Sequence, residues 1–133
     1  MKKPTRHLKR ELKPLTSAEL EMMNVIWRIG PCTVNQILEQ LAPQRELAYT
    51  SVSTIVRILE QKGHVSSMKE GRGHVYAAVV PKTDYQQASL KHLVKGVFDG
   101  APMLLVQRLL DSEALTSEEI VELKAMLRKR SEK

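Results

Sequence analysis

Apolar residues recur at helical spacing in the first part of the chain, and each run begins with a recognisable start signal. Thr16-Ser17-Ala18-Glu19 is a capping box, and the apolar stripe that follows it continues to about Ile29, where Gly30-Pro31 stops it. The same signal recurs at Thr33-Val34-Asn35-Gln36, before a second stripe that ends near Ala42-Pro43. The pattern predicts two short helices joined by a tight turn.

A third helix is predicted from Tyr49-Thr50 to Lys62, with Gly63 as a left-handed C-terminal cap. Its apolar positions, among them Val52, Val56 and Leu59, share one face and should point inward. The opposite face carries short polar side chains followed by one long cation. The candidate binding residues on this helix are Tyr49, Thr50, Ser51, Ser53, Thr54 and Arg57.

After Gly63 the apolar period changes from helical to alternating. Residues 65–69 and 74–80 flank Glu70-Gly71-Arg72-Gly73, which predicts a β-hairpin with a glycine-rich tip. Since no helix follows the glycines, the tip is only a turn and not a nucleotide-binding loop. Basic residues surround it, and they complete the set of candidate binding residues: Lys69, Arg72 and His74.

Three more helices are predicted after Pro81, over residues 82–98, after Pro102, and after a capping box that begins at Thr116. Each is apolar along one face and too short to be stable alone, so that face must be buried against something. We expect it to pair with a second copy of the chain. The candidate dimerisation residues are Leu93, Val97, Leu105, Leu109, Leu123 and Leu127.

The order of these elements predicts a mainly α-helical fold with a small β-hairpin, that is, a winged helix-turn-helix followed by a helical dimerisation module. We expect a basic flexible arm over residues 1–14, a DNA-binding domain over 15–80 and a dimerisation domain over 81–133. In such a fold the third helix enters the major groove, where Arg57 can reach a guanine edge or a phosphate.

Charge agrees with a nucleic-acid partner, although most of it lies in the arm. The chain has a formal net charge of +6, and residues 1–14 alone carry six cations against Glu11, a net of +5. The arm either follows DNA phosphates or is a solubilising tail. The chain has no long apolar run for a membrane span or secretory signal, which predicts a cytoplasmic protein without a membrane partner.

Catalytic, metal and cofactor sites are not predicted. Cys32 is the single cysteine, and His7, His64, His74 and His92 are scattered without metal-ligand spacing. Ser51 and Ser53 with His74 could be taken for a nucleophile and base, but they lie in no nucleophile-elbow motif, and the sequence gives no reason to expect an orienting acid beside them. An enzyme is therefore not expected. A rival from another class is a regulatory module whose C-terminal helices bind a partner protein, with the hairpin domain as a scaffold.

Three segments together resemble the penicillinase-repressor family, which includes the methicillin-resistance and copper-operon repressors. They are Leu15 to Trp27, Ala48 to Gly63, and Gly71-Arg72-Gly73-His74-Val75-Tyr76, and the similarity extends in order from about residue 14 to residue 130. The resemblance implies a winged-helix homodimer that represses genes by covering inverted-repeat operators in double-stranded DNA.

Two departures limit what the resemblance implies. The copper-responsive members have a C-terminal cysteine cluster, which a chain with Cys32 as its only thiol lacks. The β-lactam-responsive members are inactivated by proteolysis near a point that aligns with Arg108-Leu109, where this chain lacks the asparagine–phenylalanine pair associated with cleavage. An inactivating protease is kept as a further partner to test.

Overall fold

The computed structural model describes residues 12–41 and 46–132. Three helices come first, then an antiparallel hairpin, then three further helices, as the hydrophobic pattern predicts. The predicted fold class is confirmed. The elements are α1 (Ser17–Ile29), α2 (Val34–Leu41), α3 (Tyr49–Gln61), β1 (Val65–Glu70), β2 (Gly73–Ala78), α4 (Lys82–Val97), α5 (Pro102–Asp111) and α6 (Ser117–Ser131).

The helix starts follow the capping chemistry in the sequence. At α1 the backbone N–H of Glu19 donates to Thr16 Oγ1 at 3.1 Å, and the Thr16 N–H donates to Glu19 Oε1 at 3.0 Å. Thr33 and Gln36 exchange the equivalent pair of bonds at the start of α2. Each exchange satisfies two backbone donors that would otherwise lack a partner, so the predicted helix starts are confirmed.

The turn of the hairpin is tighter than the sequence predicts, and the second strand ends two residues earlier. β1 and β2 pair from Val65 with Ala78 out to Glu70 with Gly73, so only Gly71 and Arg72 form the turn. Gly71 has φ +61°, whereas Arg72 is not among the residues with positive φ. A positive φ at the first turn residue alone is typical of a type II′ turn. The predicted second strand over 74–80 is therefore wrong at both ends, because pairing begins at Gly73 and stops at Ala78.

A short third strand segment was not predicted. Cys32, between α1 and α2, forms an antiparallel bridge with Tyr76 of β2, with N–H to O distances of 2.9 and 2.7 Å. The bridge attaches the hairpin to the loop between the first two helices. One residue is too short to give an alternating pattern, so periodicity does not reveal it.

The core of the first part of the chain lies among α1, α2, α3 and the base of the hairpin. Its members come from every one of these elements, so no element could form alone. They are Met22, Met23, Val25, Ile26, Cys32, Val34, Ile37, Leu41, Val52, Val56, Leu59, Val65 and Tyr76.

The chain divides into two compact units, between Ser89 and Leu90. This is later than the predicted boundary at 80/81. The physical reason is Tyr85, in the first turns of α4, which is buried against the first unit. Its ring centroid lies 5.9 Å from that of Trp27, and its hydroxyl accepts a 2.8 Å hydrogen bond from the Leu15 N–H.

The second unit consists of the rest of α4, α5 and α6. Of the described residues in α5 and α6, none is buried, although both helices carry an apolar stripe. The predicted capping box at the start of α6 is confirmed by the exchange of hydrogen bonds between Thr116 and Glu119.

Two predictions lie outside the described residues in whole or in part. The basic arm falls mostly on residues 1–11, and the predicted end of α2 near Ala42-Pro43 falls in 42–45; the last described residue of α2 is Leu41. Within the described ranges, no helix is long and apolar enough to cross a membrane.

Candidate nucleic-acid interface

The outward face of α3 is a continuous polar surface. Thr50, Thr54, Arg57 and Gln61 follow one another at helical spacing, and all four are exposed. Their inward neighbours Val52, Val56 and Leu59 are fully buried, which fixes the rotation of the helix. The core therefore decides which side chains α3 presents to a partner.

The structure gives the remaining α3 candidates different degrees of exposure. Ser51 is exposed and Ser53 is half-buried, and the Tyr49 side chain at the start of the helix is 51% exposed. Ala48, at the N-cap, offers no side-chain hydrogen bond to the first turn. Among the described residues no side chain caps the backbone N–H groups of that turn, so they are oriented to bind an anion such as a phosphate.

The hairpin candidates are all exposed. Lys69 and His74 lie opposite each other in the register, and Arg72 is in the turn. Met68 is also 73% exposed, so the outer half of the hairpin projects away from the core. Cations at such a projecting tip are free to approach a phosphate backbone.

The base of the hairpin is joined to α3 through side chains. Ser67 Oγ on β1 donates a 2.7 Å hydrogen bond to Glu60 Oε2 on α3. The Tyr76 phenol, on the strand paired with Ser67, lies near the same group: burial raises its pKa, the charge of Glu60 raises it further, and Arg57 lowers it. Arg57, Glu60 and the hairpin base are thus brought together.

An ion pair ties the first helix to the end of the third. Lys62 Nζ lies 3.0 Å from both carboxylate oxygens of Glu19, whose side chain is 9% exposed. Burial alone would raise the pKa of Glu19, but the hydrogen bond from the Thr16 N–H and the Lys62 ammonium hold that pKa below its usual value. Glu19 is therefore ionised at neutral pH.

Two residues of this surface were missed as candidates. Gln61 belongs to the predicted polar face, one turn beyond Arg57, but it was not carried into the set of candidate contacts. Glu60 resembles any solvated helix carboxylate in the sequence, and no pattern pairs it with Ser67.

The described part of the chain contains neither a cluster of metal ligands nor an exposed, reactive thiol. There, no group of three or more His, Cys, Asp or Glu side chains is arranged to hold a metal ion. Cys32 is buried, and its burial raises the pKa of the thiol, which lowers its reactivity.

The first unit is a winged helix-turn-helix: it has three helices, of which the third has a polar outer face, and a hairpin bridged to the α1–α2 loop. This is the fold of a large class of DNA-binding proteins.

Comparison with known proteins identifies the family within this class. The penicillinase repressor family profile matches residues 15–129. The chain belongs to this family of DNA-binding transcriptional repressors, and the resemblance noted in the sequence is confirmed.

Individual relatives cover most of the chain. The methicillin resistance regulatory protein MecI of Mammaliicoccus sciuri is 29% identical over 116 residues, which cover 87% of this chain and 94% of that protein. The penicillinase repressor of Bacillus licheniformis is 27% identical over 118 residues, which cover 89% and 92%. Among solved structures, the solution structure of the DNA binding domain of the repressor BlaI has a TM-score of 0.50 and 29% identity, and covers 57% of this chain and 93% of that one.

Proposed function

We propose that this protein represses transcription by binding inverted-repeat operator DNA as a homodimer and blocking access to the promoter. The observation that carries the proposal is the exposed polar face of α3 beside a projecting basic hairpin in one compact unit. A cytoplasmic location belongs to the same proposal, because the DNA is there.

In the proposed complex α3 enters the major groove. The short side chains of Ser51, Ser53 and Thr54 allow the helix backbone to approach the base edges, and Arg57 is long enough to donate two hydrogen bonds to a guanine. Tyr49 and Thr50, in the uncapped first turn, contact phosphates.

The hairpin follows the adjacent backbone as the wing. Lys69, Arg72 and His74 make contacts with phosphates, which hold the protein in register without reading sequence. Because each such contact releases counterions, the wing contributes to the salt dependence of binding.

The homodimer is supported by the second unit. Large apolar side chains are exposed there that an isolated chain leaves in water, and pairing with a second copy buries them. Four of the six predicted dimerisation residues are more than 40% exposed, and Leu105 and Leu123 are half-buried. The exposed set is Leu90, Leu93, Val97, Met103, Leu109, Leu110, Val121, Met126 and Leu127.

The experiment that tests the proposal is genome-wide recovery of bound DNA, followed by affinity measurements on the recovered duplex and on a scrambled duplex over a range of salt. We expect the recovered sites to contain inverted repeats, and affinity to fall steeply with salt on both duplexes. Weak binding without salt dependence would instead favour the partner-binding module. Cleavage near Arg108-Leu109 under β-lactam stress tests the protease separately.

A further inference from the structure

The hydrogen bond between Ser67 and Glu60 lies at the point where the hairpin leaves the body of the first unit. On the core side of Ser67, Val65 is buried. On the side of Ser67 that leads to the turn, residues 68–70 are all exposed. The turn begins four residues further on, about 13 Å along the strand. The outer hairpin is thus a two-stranded ribbon held by its own ladder, and an isolated ribbon of this kind twists and bends readily.

A small rotation at the base of such a ribbon becomes a large displacement at its tip. Ser67 and its register partner Tyr76 are the pair at the base, and Tyr76 is fixed by the backbone bridge to Cys32. That bridge holds one strand against the α1–α2 loop. The Ser67–Glu60 bond at 2.7 Å holds the other strand against the helix that reads DNA.

The charge of Glu60 argues that its role is in positioning rather than in contact with DNA. A carboxylate three residues from Arg57 on a DNA-facing helix repels phosphates, so it would weaken binding if it had no other effect. Its oxygen instead accepts the Ser67 hydroxyl, and its charge acts on the buried Tyr76 phenol. Both contacts connect α3 to the hairpin.

We propose that Glu60 and Ser67 are positioning residues that lock the wing to the recognition helix, so that Arg72 reaches a phosphate while Arg57 occupies the major groove. This inference rests on the proposed function. It adds two residues that do not touch DNA but set the geometry of two that do.

A double-mutant cycle between Ser67→Ala and Arg72→Ala tests it, with the full chain and a mixed-sequence duplex of about 30 base pairs, long enough for two half-sites. We expect Ser67→Ala to weaken binding about 2- to 10-fold and to lower the salt slope. In the Arg72→Ala background the same change should cost less than about twofold, because the contact it positions is already gone. Ser66→Ala is the matched control, since Ser66 points to the opposite face of β1.

The role of Glu60 is tested by comparing two variants that have the same net charge as each other. Glu60→Gln keeps an oxygen that accepts the Ser67 hydroxyl, whereas Glu60→Ala removes it, and both lose the negative charge. We expect Glu60→Ala to bind about 2- to 10-fold more weakly than Glu60→Gln. Equal affinity of these two variants overturns the inference.

The possible failures are distinguishable. If Arg72→Ala lowers the salt slope but Ser67→Ala behaves like Ser66→Ala, or weakens binding equally with and without Arg72, the lock is wrong while the wing contact stands. If Arg72→Ala leaves the slope unchanged, the wing contact and this inference both fall. If the unmodified protein shows no salt-dependent binding to any duplex, the proposed function itself is overturned.

Discussion

Lys62, just after α3, extends to Glu19 in the first turn of α1, and its Nζ lies 3.0 Å from each of the Glu19 carboxylate oxygens. The same carboxylate closes the capping box with Thr16. One side chain therefore holds both the start of the first helix and the end of the third. The orientation of α3 depends on this pair as well as on the apolar core.

Glu19→Gln should lower the free energy of unfolding of the first unit by about 1–3 kcal/mol at neutral pH, because an amide keeps the capping box but loses the charge-assisted bond to Lys62. The single tryptophan, Trp27, lies in this unit, so its fluorescence follows the unfolding in urea. Glu39→Gln, at an exposed carboxylate of α2, is the control and should change stability by less than about 0.5 kcal/mol. Equal effects of the two would show that the ion pair contributes nothing.

Acid should destabilise the first unit, beginning as the pH falls below about 6.5. His64 is buried, and its Nδ1 has no hydrogen-bond partner among the residues that the structure describes. Burial, with Lys62 nearby, lowers its pKa, while Glu19 opposes that effect. The unfolded chain therefore protonates His64 at a higher pH than the folded unit does. The stability that is present above the pKa of His64 in the unfolded chain is lost as the pH falls. Protonation of Glu19, whose folded pKa is also lowered, adds a second loss below about 4.5.

The variant His64→Phe should flatten the upper part of this pH dependence, since it removes the titrating group and keeps an aromatic ring against Tyr85. Urea midpoints at pH 7.5 and 5.5 measure the difference. His74→Asn, at an exposed position of the same unit, should retain the dependence of the unmodified protein. A midpoint shift that is the same in all three proteins contradicts the assignment to His64.

The helices and the hairpin could be predicted because their signals are local. The Thr16 and Thr33 capping boxes, the stripe of Val52, Val56 and Leu59, and the Gly71-Arg72 turn each lie within a few neighbouring residues. Contacts between distant segments leave no such pattern. The Cys32–Tyr76 bridge spans 44 positions, and Lys62 and Glu19 are 43 residues apart. The division between the compact units falls later than the predicted domain boundary for the same reason, because Tyr85 looks like any apolar position of α4.

The exposed face of α3 was predictable as a surface, since burial of one face of a helix determines which face is exposed. The contribution of each side chain was not, because base contacts depend on a DNA sequence that the chain does not contain. Glu60 illustrates the difficulty. Its helical position places it near Arg57, but only the fold places Ser67 against its carboxylate.

Arg57→Ala should weaken binding to the operator by about 1–3 kcal/mol, and Thr54→Ala by less, if the guanidinium donates to a base edge. Affinity is measured on the duplex recovered from the genome and on a scrambled duplex at the same salt concentration. The loss should be larger on the recovered sequence. An equal loss on both duplexes would assign Arg57 to a phosphate instead.

Arg72→Ala should weaken binding on all sequences alike and reduce the slope of log affinity against log salt by about one unit, because one phosphate contact is lost. Glu70→Gln, beside the same turn, is a useful contrast. Removing its negative charge should leave affinity equal or higher, so a loss in both variants would point to a damaged hairpin rather than a lost contact.

Leu109→Asp should convert the full chain toward monomer and lower operator affinity by orders of magnitude. Leu109 is 42% exposed on α5, and a charge at a buried subunit interface would be left without a partner. Two recognition helices must reach successive major grooves about 34 Å apart, and a dimer supplies both without a second binding event. A monomeric variant would bind each half-site of the operator separately. Its affinity for the full operator should therefore fall far more than the loss of any single side-chain contact would cause.

Sedimentation at micromolar concentration and affinity for the recovered duplex are measured on the same samples. Gln107→Asp places the same charge on an exposed position of α5 that already carries a polar side chain, so it should remain dimeric. If the unmodified chain sediments as a monomer at this concentration, the proposed homodimer is overturned. If Leu109→Asp stays dimeric while Gln107→Asp does not, the interface lies on another face of the second unit. A monomeric Leu109→Asp protein that still binds the full operator tightly would show that dimerisation is not what sets affinity.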